Sequence, residues 1–205
     1  MTLDFLSTSL ARDEQGFHPV ARSAAERLFR AADATFEERD GWLVAARVPG
    51  EADHADRVGI ADVSHLGKLD VRPAPAAELE GAGVTTYRLS PRRALVLFPH
   101  AARSTVGEQV AGGDLVLDVT GAYTVLALTG PDARALLARL THLHRFPGGG
   151  EIAHVTGHVL PAGPGFRIVV AQELGHYLGE VALDCARALG GGLVGVDALP
   201  AEERP

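Results

Sequence analysis

The sequence predicts an α+β protein made of two duplicated β-α-β-β-α units with mainly antiparallel sheets. Three observations carry this. Asp62-Val63-Ser64 and Asp118-Val119-Thr120 open two similar stretches 56 residues apart. Val84-Thr85 and Val155-Thr156 open two hairpin patterns 71 residues apart. Each hairpin pattern leads into an apolar stretch with helical spacing, 101–111 and 174–189. The offset therefore grows by 15 residues between the two motifs. That places an insertion at Thr141 to Gly150, where a loop is expected.

The expected elements follow in chain order. Residues 1–22 lack periodicity and read as an N-terminal arm. Ser23 with Glu26 three residues on resembles a capping box, and Ala24, Leu28 and Ala31 recur at helical spacing, so a helix is expected over 23–32. Trp42 to Val48 reads as a strand ended by Pro49-Gly50. The first repeat, about 58–111, holds one or two strands from Val58 to Val71, with Leu66, Leu69 and Val71 in the core. A short helix over 73–79, a hairpin turning at Ser90-Pro91-Arg92-Arg93 and a helix over 101–111 complete it. The second repeat, about 115–189, holds strands at 115–119 and 124–129 and a helix from Pro131 to about Leu140. A hairpin over 154–171 and a helix over 174–189 end it. Gly190-Gly191-Gly192 turns into a last strand, and 200–205 read as a tail. The domain is thus expected over 23–199.

Composition excludes several function classes. A net charge of -7 argues against nonspecific nucleic-acid binding and against an anionic membrane surface. No apolar run is long enough to span a bilayer, and 1–9 lack the pattern of a secretory signal. A single cysteine, Cys185, forms no internal disulfide and reads as a buried, inert thiol. A cytoplasmic protein is the expectation.

The chemistry-bearing residues are few. His142, His144, His154 and His158 form the best cluster for a metal, but a strand separates His154 and His158 by about 13 Å, too far for one ion. Solvated loop histidines are the expected reading, and no metal is expected. Ser64-His65 offers a nucleophile beside a base, yet neighbours on a strand point to opposite faces. A structural role follows, with Asp62 or Asp118 tying a turn through side-chain to backbone bonds. Gly148-Gly149-Gly150 and Gly190-Gly191-Gly192 lack the Lys-Ser/Thr of a phosphate loop and read as flexible turns. Arg92-Arg93 at the first hairpin tip could meet an acidic partner or a polyglutamyl tail, or simply be solvated.

Asp62-Val63-Ser64-His65-Leu66-Gly67 resembles the Asp-Val-Ser-His-Met-Gly signature of the glycine-cleavage T-protein (aminomethyltransferase) superfamily. Phe36 to Trp42 is similar to that family's entry strand, and Thr129-Gly130-Pro131-Asp132-Ala133 to its Gly-Pro-x-Ala motif. Within the superfamily, Leu140 to Gly148 and His176-Tyr177-Leu178 are similar to elements of the sarcosine oxidase gamma subunit branch. The resemblance implies a T-protein-like folate-binding domain without the C-terminal barrel of the transferases. It points to Asp62, Ser64, His65, Tyr87, Arg92 and Phe166 as cofactor-binding residues, with tetrahydrofolate the cofactor it allows and catalytic residues unassigned. Two departures stand out. The family's catalytic hairpin carries an Asp, whereas Tyr87 to Leu95 has no carboxylate. The family's Glu that grips the pterin ring is replaced by Gly163. The expected function is then a mainly structural, gamma-type accessory subunit of a folate-linked sarcosine oxidase or related flavin-dependent amine oxidase. Its partner would be a flavoprotein large subunit, or the chain would self-associate. The alternative is a free-standing folate-dependent one-carbon transferase or folate-binding protein, with Asp70, Asp118 or His65 as its acids or bases.

Overall fold

The computed structural model describes residues 16, 19–201 and 204. Most of the expected arm, and residues 202, 203 and 205 of the expected tail, lie outside the described residues. The chain is α+β, with thirteen strands in three sheets and five α-helices among the described residues.

A small sheet comes first. Strand β1 (Ala21–Arg22) leads into helix α1 (Glu26–Arg30), then β2 (Thr35–Arg39) and β3 (Trp42–Arg47), in the order β1-β3-β2. Helix α1 is shorter than the expected 23–32. Ser23 Oγ accepts the Ala25 N–H at 3.2 Å, but Glu26 does not close a capping box. Its carboxylate is taken by Arg22 at 2.8 Å and Arg30 at 2.6 Å. Helix α2 (Glu51–Ala55) follows Gly50, whose φ of 75° lets the chain turn sharply.

The two repeated units supply the larger sheets. The first contains β4 (Gly59–Asp62), β5 (Gly67–Arg72), the hairpin β6 (Thr85–Ser90) and β7 (Arg93–Phe98), and α3 (Arg103–Val110). The second contains β8 (Leu115–Asp118), β9 (Tyr123–Thr129), α4 (Ala133–Leu140), β10 (Gly148–Ile152), the hairpin β11 (Val155–Ala162) and β12 (Gly165–Ala171), and α5 (Gly175–Arg187). Strand β13 (Gly192–Leu193) closes the chain.

The units exchange their first strands. The six-stranded sheet runs β10-β11-β12-β9-β4-β13, so β4 of the first unit pairs with β9 of the second. The four-stranded sheet runs β6-β7-β5-β8, so β8 of the second unit pairs with β5 of the first. The registers match under the repeat to within one residue, with Asp62 opposite Leu126 and Asp118 opposite Leu69.

Alternation along the strands sorts the core into layers. Ile60, Leu126, Leu128, Phe166, Ile168 and Val170 pack against α1, α4 and α5. Between them, Ala61, Val125, Ala127 and Val169 turn to the opposite face and meet Tyr87, Leu95 and Leu97 of the four-stranded sheet, with Trp42. The far side of that sheet, Leu69, Val71, Val96 and Phe98, is covered by α3.

Three expectations fail locally. Residues 73–79 form no helix, because Pro73 and Pro75 withhold two N–H donors and disfavour the helical region before each of them. The triple glycine at 148–150 is not a loop but the start of β10, paired with Val159, His158 and Gly157. His154 is not on a strand. It follows Ala153 in a two-residue turn, both with positive φ (48° and 65°), that joins β10 to β11.

Candidate functional site

The repeated motifs form reciprocal joints where the strands exchange. Asp62 Oδ1 accepts the Ser64 N–H at 3.0 Å and the Ser64 hydroxyl at 2.5 Å. Asp118 Oδ1 likewise accepts the Thr120 N–H at 2.8 Å. Each hydroxyl then reaches into the other unit. Ser64 Oγ accepts the Val125 N–H at 3.0 Å, and Thr120 Oγ1 accepts the Lys68 N–H at 3.0 Å. The side chains of both motifs are thus spent on backbone groups that would otherwise be buried without partners.

Beside the first joint lies a buried cation. Lys68, fully buried, donates from Nζ to the Ser64 and Leu66 carbonyls at 2.8 Å each. Its Nζ stands 5.9 Å from the centre of the Trp42 indole. Burial pushes the Lys68 ammonium down to about 7, against the opposing pull of Asp62 and Asp118. Burial also pushes the His65 imidazolium down to about 3, helped by the charges of Lys68, Arg39 and Arg167. His65 is therefore a neutral ring throughout the physiological range. Burial pushes the Asp62 carboxyl up, against hydrogen bonds from Ser23 and Ser64 and the charge of Lys68.

A second constellation bridges the two hairpins. Tyr87 of β6 meets His158 of β11 edge-on, ring centres 5.2 Å apart. Gly149 lies against the same imidazole so closely that a Cβ there would come within 2.6 Å of Nδ1. The buried His158 Nδ1 has no hydrogen-bond partner, and burial with the charge of Arg93 lowers the ring's pKa. Burial raises that of Tyr87. Asp70 of β5 receives Arg93 at 3.0 Å and Arg72 at 2.9 Å. Burial would raise the Asp70 carboxyl, but those hydrogen bonds and the two charges hold it below its usual range. Held this way it is a structural anion and a poor proton acceptor.

The six residues singled out from the sequence are thus divided. Asp62, Ser64 and His65 gather around Lys68, while Tyr87 faces His158. Arg92 lines an open cleft with Arg72, Pro73, Ser90, Arg93 and Asp114. Phe166 points to the opposite face of its sheet, against Phe146 in the helix-side core, at a ring separation of 5.3 Å. Its neighbour Arg167, 3 % exposed, takes the face turned toward His65. Lys68 and Arg167 are the residues that sequence reading missed, and His158 is read there only as a member of the histidine cluster. Strand alternation was the available signal, since Lys68 shares a strand face with Asp70, and Arg167 interrupts an apolar run. Of the four histidines, His142 and His154 line one cleft with Glu151, whereas His158 belongs to the hairpin junction. Among the described residues no group of three or more His, Cys, Asp or Glu is placed to hold a metal, and no helix is long and apolar enough to cross a membrane.

Known proteins share this arrangement. A chain of the heterotetrameric sarcosine oxidase from Corynebacterium sp. U-96 superposes with a TM-score of 0.58 at 19 % identity, over 84 % of this chain and 97 % of that one. The glycine cleavage system aminomethyltransferase T from Bartonella henselae superposes with a TM-score of 0.66 at 20 % identity, over 87 % of this chain and 60 % of that one. The chain has the fold that these two proteins share. In sequence, an aminomethyltransferase of Streptomyces coelicolor is 28 % identical over 159 residues, 60 % of this chain. The chain spans 43 % of that relative's length. No family model matches the chain. The described residues form three sheets and no separate barrel.

Proposed function

We propose that this chain is a mainly structural, gamma-type accessory subunit of a folate-linked sarcosine oxidase or a related flavin-dependent N-demethylating amine oxidase. The observation that carries the reading is the match in extent, since the superposition takes in 97 % of the sarcosine oxidase chain. In such an assembly the flavin subunit turns an N-methyl amine into an iminium, and folate captures the one-carbon unit.

The residues here do not fit a role in that capture. A pterin presents ring and amino donors that require a carboxylate acceptor in a dry site. Neither hairpin, 85–98 nor 155–171, contains an Asp or a Glu. Asp70, opposite Leu95 of the first hairpin, is already shared by Arg72 and Arg93. The His65 imidazole, the base the motif offers, is held uncharged near neutrality by burial and by the charges of Lys68, Arg39 and Arg167. Co-expression with a flavin-dependent amine oxidase lacking its small subunit tests the reading. A stoichiometric complex on size exclusion is the expected outcome, and a chain that elutes alone overturns it.

A second reading has one observation in its favour, the sequence match to a curated aminomethyltransferase. It requires folate affinity. Calorimetric titration with 5-formyltetrahydrofolate separates the two: micromolar binding favours a transferase or a folate-binding protein, and no heat leaves the accessory subunit in front.

A further inference from the structure

We infer that the free edge of β8, with the arginine cleft at its start, is the surface on which a partner protein docks an extended segment carrying acidic residues at one end. The identity of that partner rests on the accessory-subunit reading, whereas the docking mode rests on the strand itself.

Strand β8 pairs with β5 on one side, and among the described residues no strand pairs with the other. Sheet edges are normally blunted by shortness, bulges, proline or lysine, because their open N–H and C=O groups recruit other chains. The opposite edge of the same sheet follows that rule, for β6 carries a register shift between Arg88 and Ser90. At the end of the six-stranded sheet, β13 has only two residues. Strand β8 spans four residues and has no bulge, proline or lysine.

It carries the reverse. Leu115 and Leu117 are 40 % and 42 % exposed, and Tyr177, on α5, is the only other large apolar side chain as open among the described residues. Two positions apart on one strand, they share a face. In register beside them stand Arg72 and Asp70. At the start of β8 three arginines, Arg72, Arg92 and Arg93, outnumber the two carboxylates beside them, Asp70 and Asp114, in a chain whose net charge is -7. Arg72, Arg92 and Arg93 converge on a cleft with Asp114, next to Leu115. Asp70 cannot saturate two guanidinium groups, and the side chains of Arg72 and Arg93 stay 45 % and 41 % exposed. A segment that adds to β8 would bury Leu115 and Leu117 under its own apolar side chains and bring its acidic end to the three arginines. A second copy of this chain fits less well. An antiparallel β8 pair would set Asp114 and Asp118 of the two copies opposite one another, where like charges repel.

The test uses the full chain and a fluorescent peptide of alternating valine and threonine ending in a short run of glutamates. A peptide with lysines in place of the glutamates is the control. The expected result is saturable binding of the acidic peptide only, weakened about tenfold or more by Arg92→Glu and by Leu117→Lys. Hydrogen exchange of 115–118 should slow when the peptide is present. Equal binding of both peptides, no binding, or indifference to both substitutions overturns the inference. So does a concentration-dependent dimer whose 115–118 amides are protected without peptide, because a second copy then covers the edge. A flavoprotein complex in which 115–118 still exchange freely overturns the surface but keeps the accessory-subunit reading. Peptide binding without any flavoprotein complex does the opposite.

Discussion

At the scale of single residues, the side chains that look most chemical are committed to structure. Ser64 is 3 % exposed, donates to Asp62 and accepts from Val125. Ser64→Ala leaves a buried N–H and a buried carboxyl short of partners, which costs about 2–3 kcal/mol. Thr120→Val, the matching change in the second unit, frees the Lys68 N–H and removes a long 3.5 Å bond to the Lys68 carbonyl, which keeps the Val119 N–H, and so costs about 1–2 kcal/mol. Urea unfolding of both variants checks the size and the order. Lys68 and His65 make stability depend on pH. Lys68 loses its proton near pH 7 in the fold and near 10.5 when unfolded. Between those values the unfolded chain holds more protons, so stability rises with pH across that window. His65 takes up its proton near pH 3 in the fold and near 6.5 when unfolded. Stability therefore falls as pH drops from 6.5 toward 3. Midpoints of thermal unfolding measured against pH should show both slopes. Lys68→Met should flatten the alkaline one, and His65→Gln the acidic one.

At the scale of elements, the β10–β11 hairpin shows sequence and fold in conflict. Its two-residue turn asks for positive φ at both positions, which glycine and asparagine supply at least cost. Ala153 and His154 occupy them instead. Ala153 is held there from both sides, since its N–H donates to the Leu140 carbonyl and its own carbonyl accepts the Tyr177 hydroxyl at 3.0 Å. The His154 side chain is exposed and reaches only Glu151, at 3.2 Å. His154→Gly should therefore stabilise the protein by about 1 kcal/mol, read as a higher unfolding midpoint. The same hairpin explains the three glycines of β10. Gly149 must stay bare because the His158 ring fills the place of its Cβ. A run that reads as a flexible turn is thus a strand shaved to fit a neighbour. Residues 73–79 fail in the other direction: the repeat argues for a helix equivalent to α4, and two prolines overrule it.

At the scale of the whole molecule, strand exchange makes the two units one cooperative body. The four-stranded sheet is incomplete without β8, and the six-stranded sheet without β4. Neither unit can bury its face alone. Unfolding should then be a single transition. Fluorescence of Trp42, the sole tryptophan, which sits in the layer between the sheets, should coincide with far-UV circular dichroism in urea. Two separated transitions would contradict the exchange. The exchange also bears on function. A rigid body whose interior motif residues are spent on its own backbone is suited to hold a partner, and the open edge of β8 is the place it leaves for one.

The sequence by itself determined the fold class, the two repeats, both hairpins and most of the elements, because these depend on local periodicity, turn residues and an offset that can be counted along the chain. It also exposed the missing acids at the hairpins, since an absent side chain is visible without coordinates. Only the tertiary structure decided that the repeats trade strands, because pairing between β4 and β9 and between β5 and β8 joins residues more than 40 apart in the chain, beyond any local pattern. It likewise decided what the motif residues do. Asp62, Ser64 and His65 could be read as chemistry until Val125 and Arg167 arrived from distant strands and Lys68 turned its side chain back onto the motif. Burial and neighbouring charge then fixed which protons are held, and neither can be read from a residue's position in the chain.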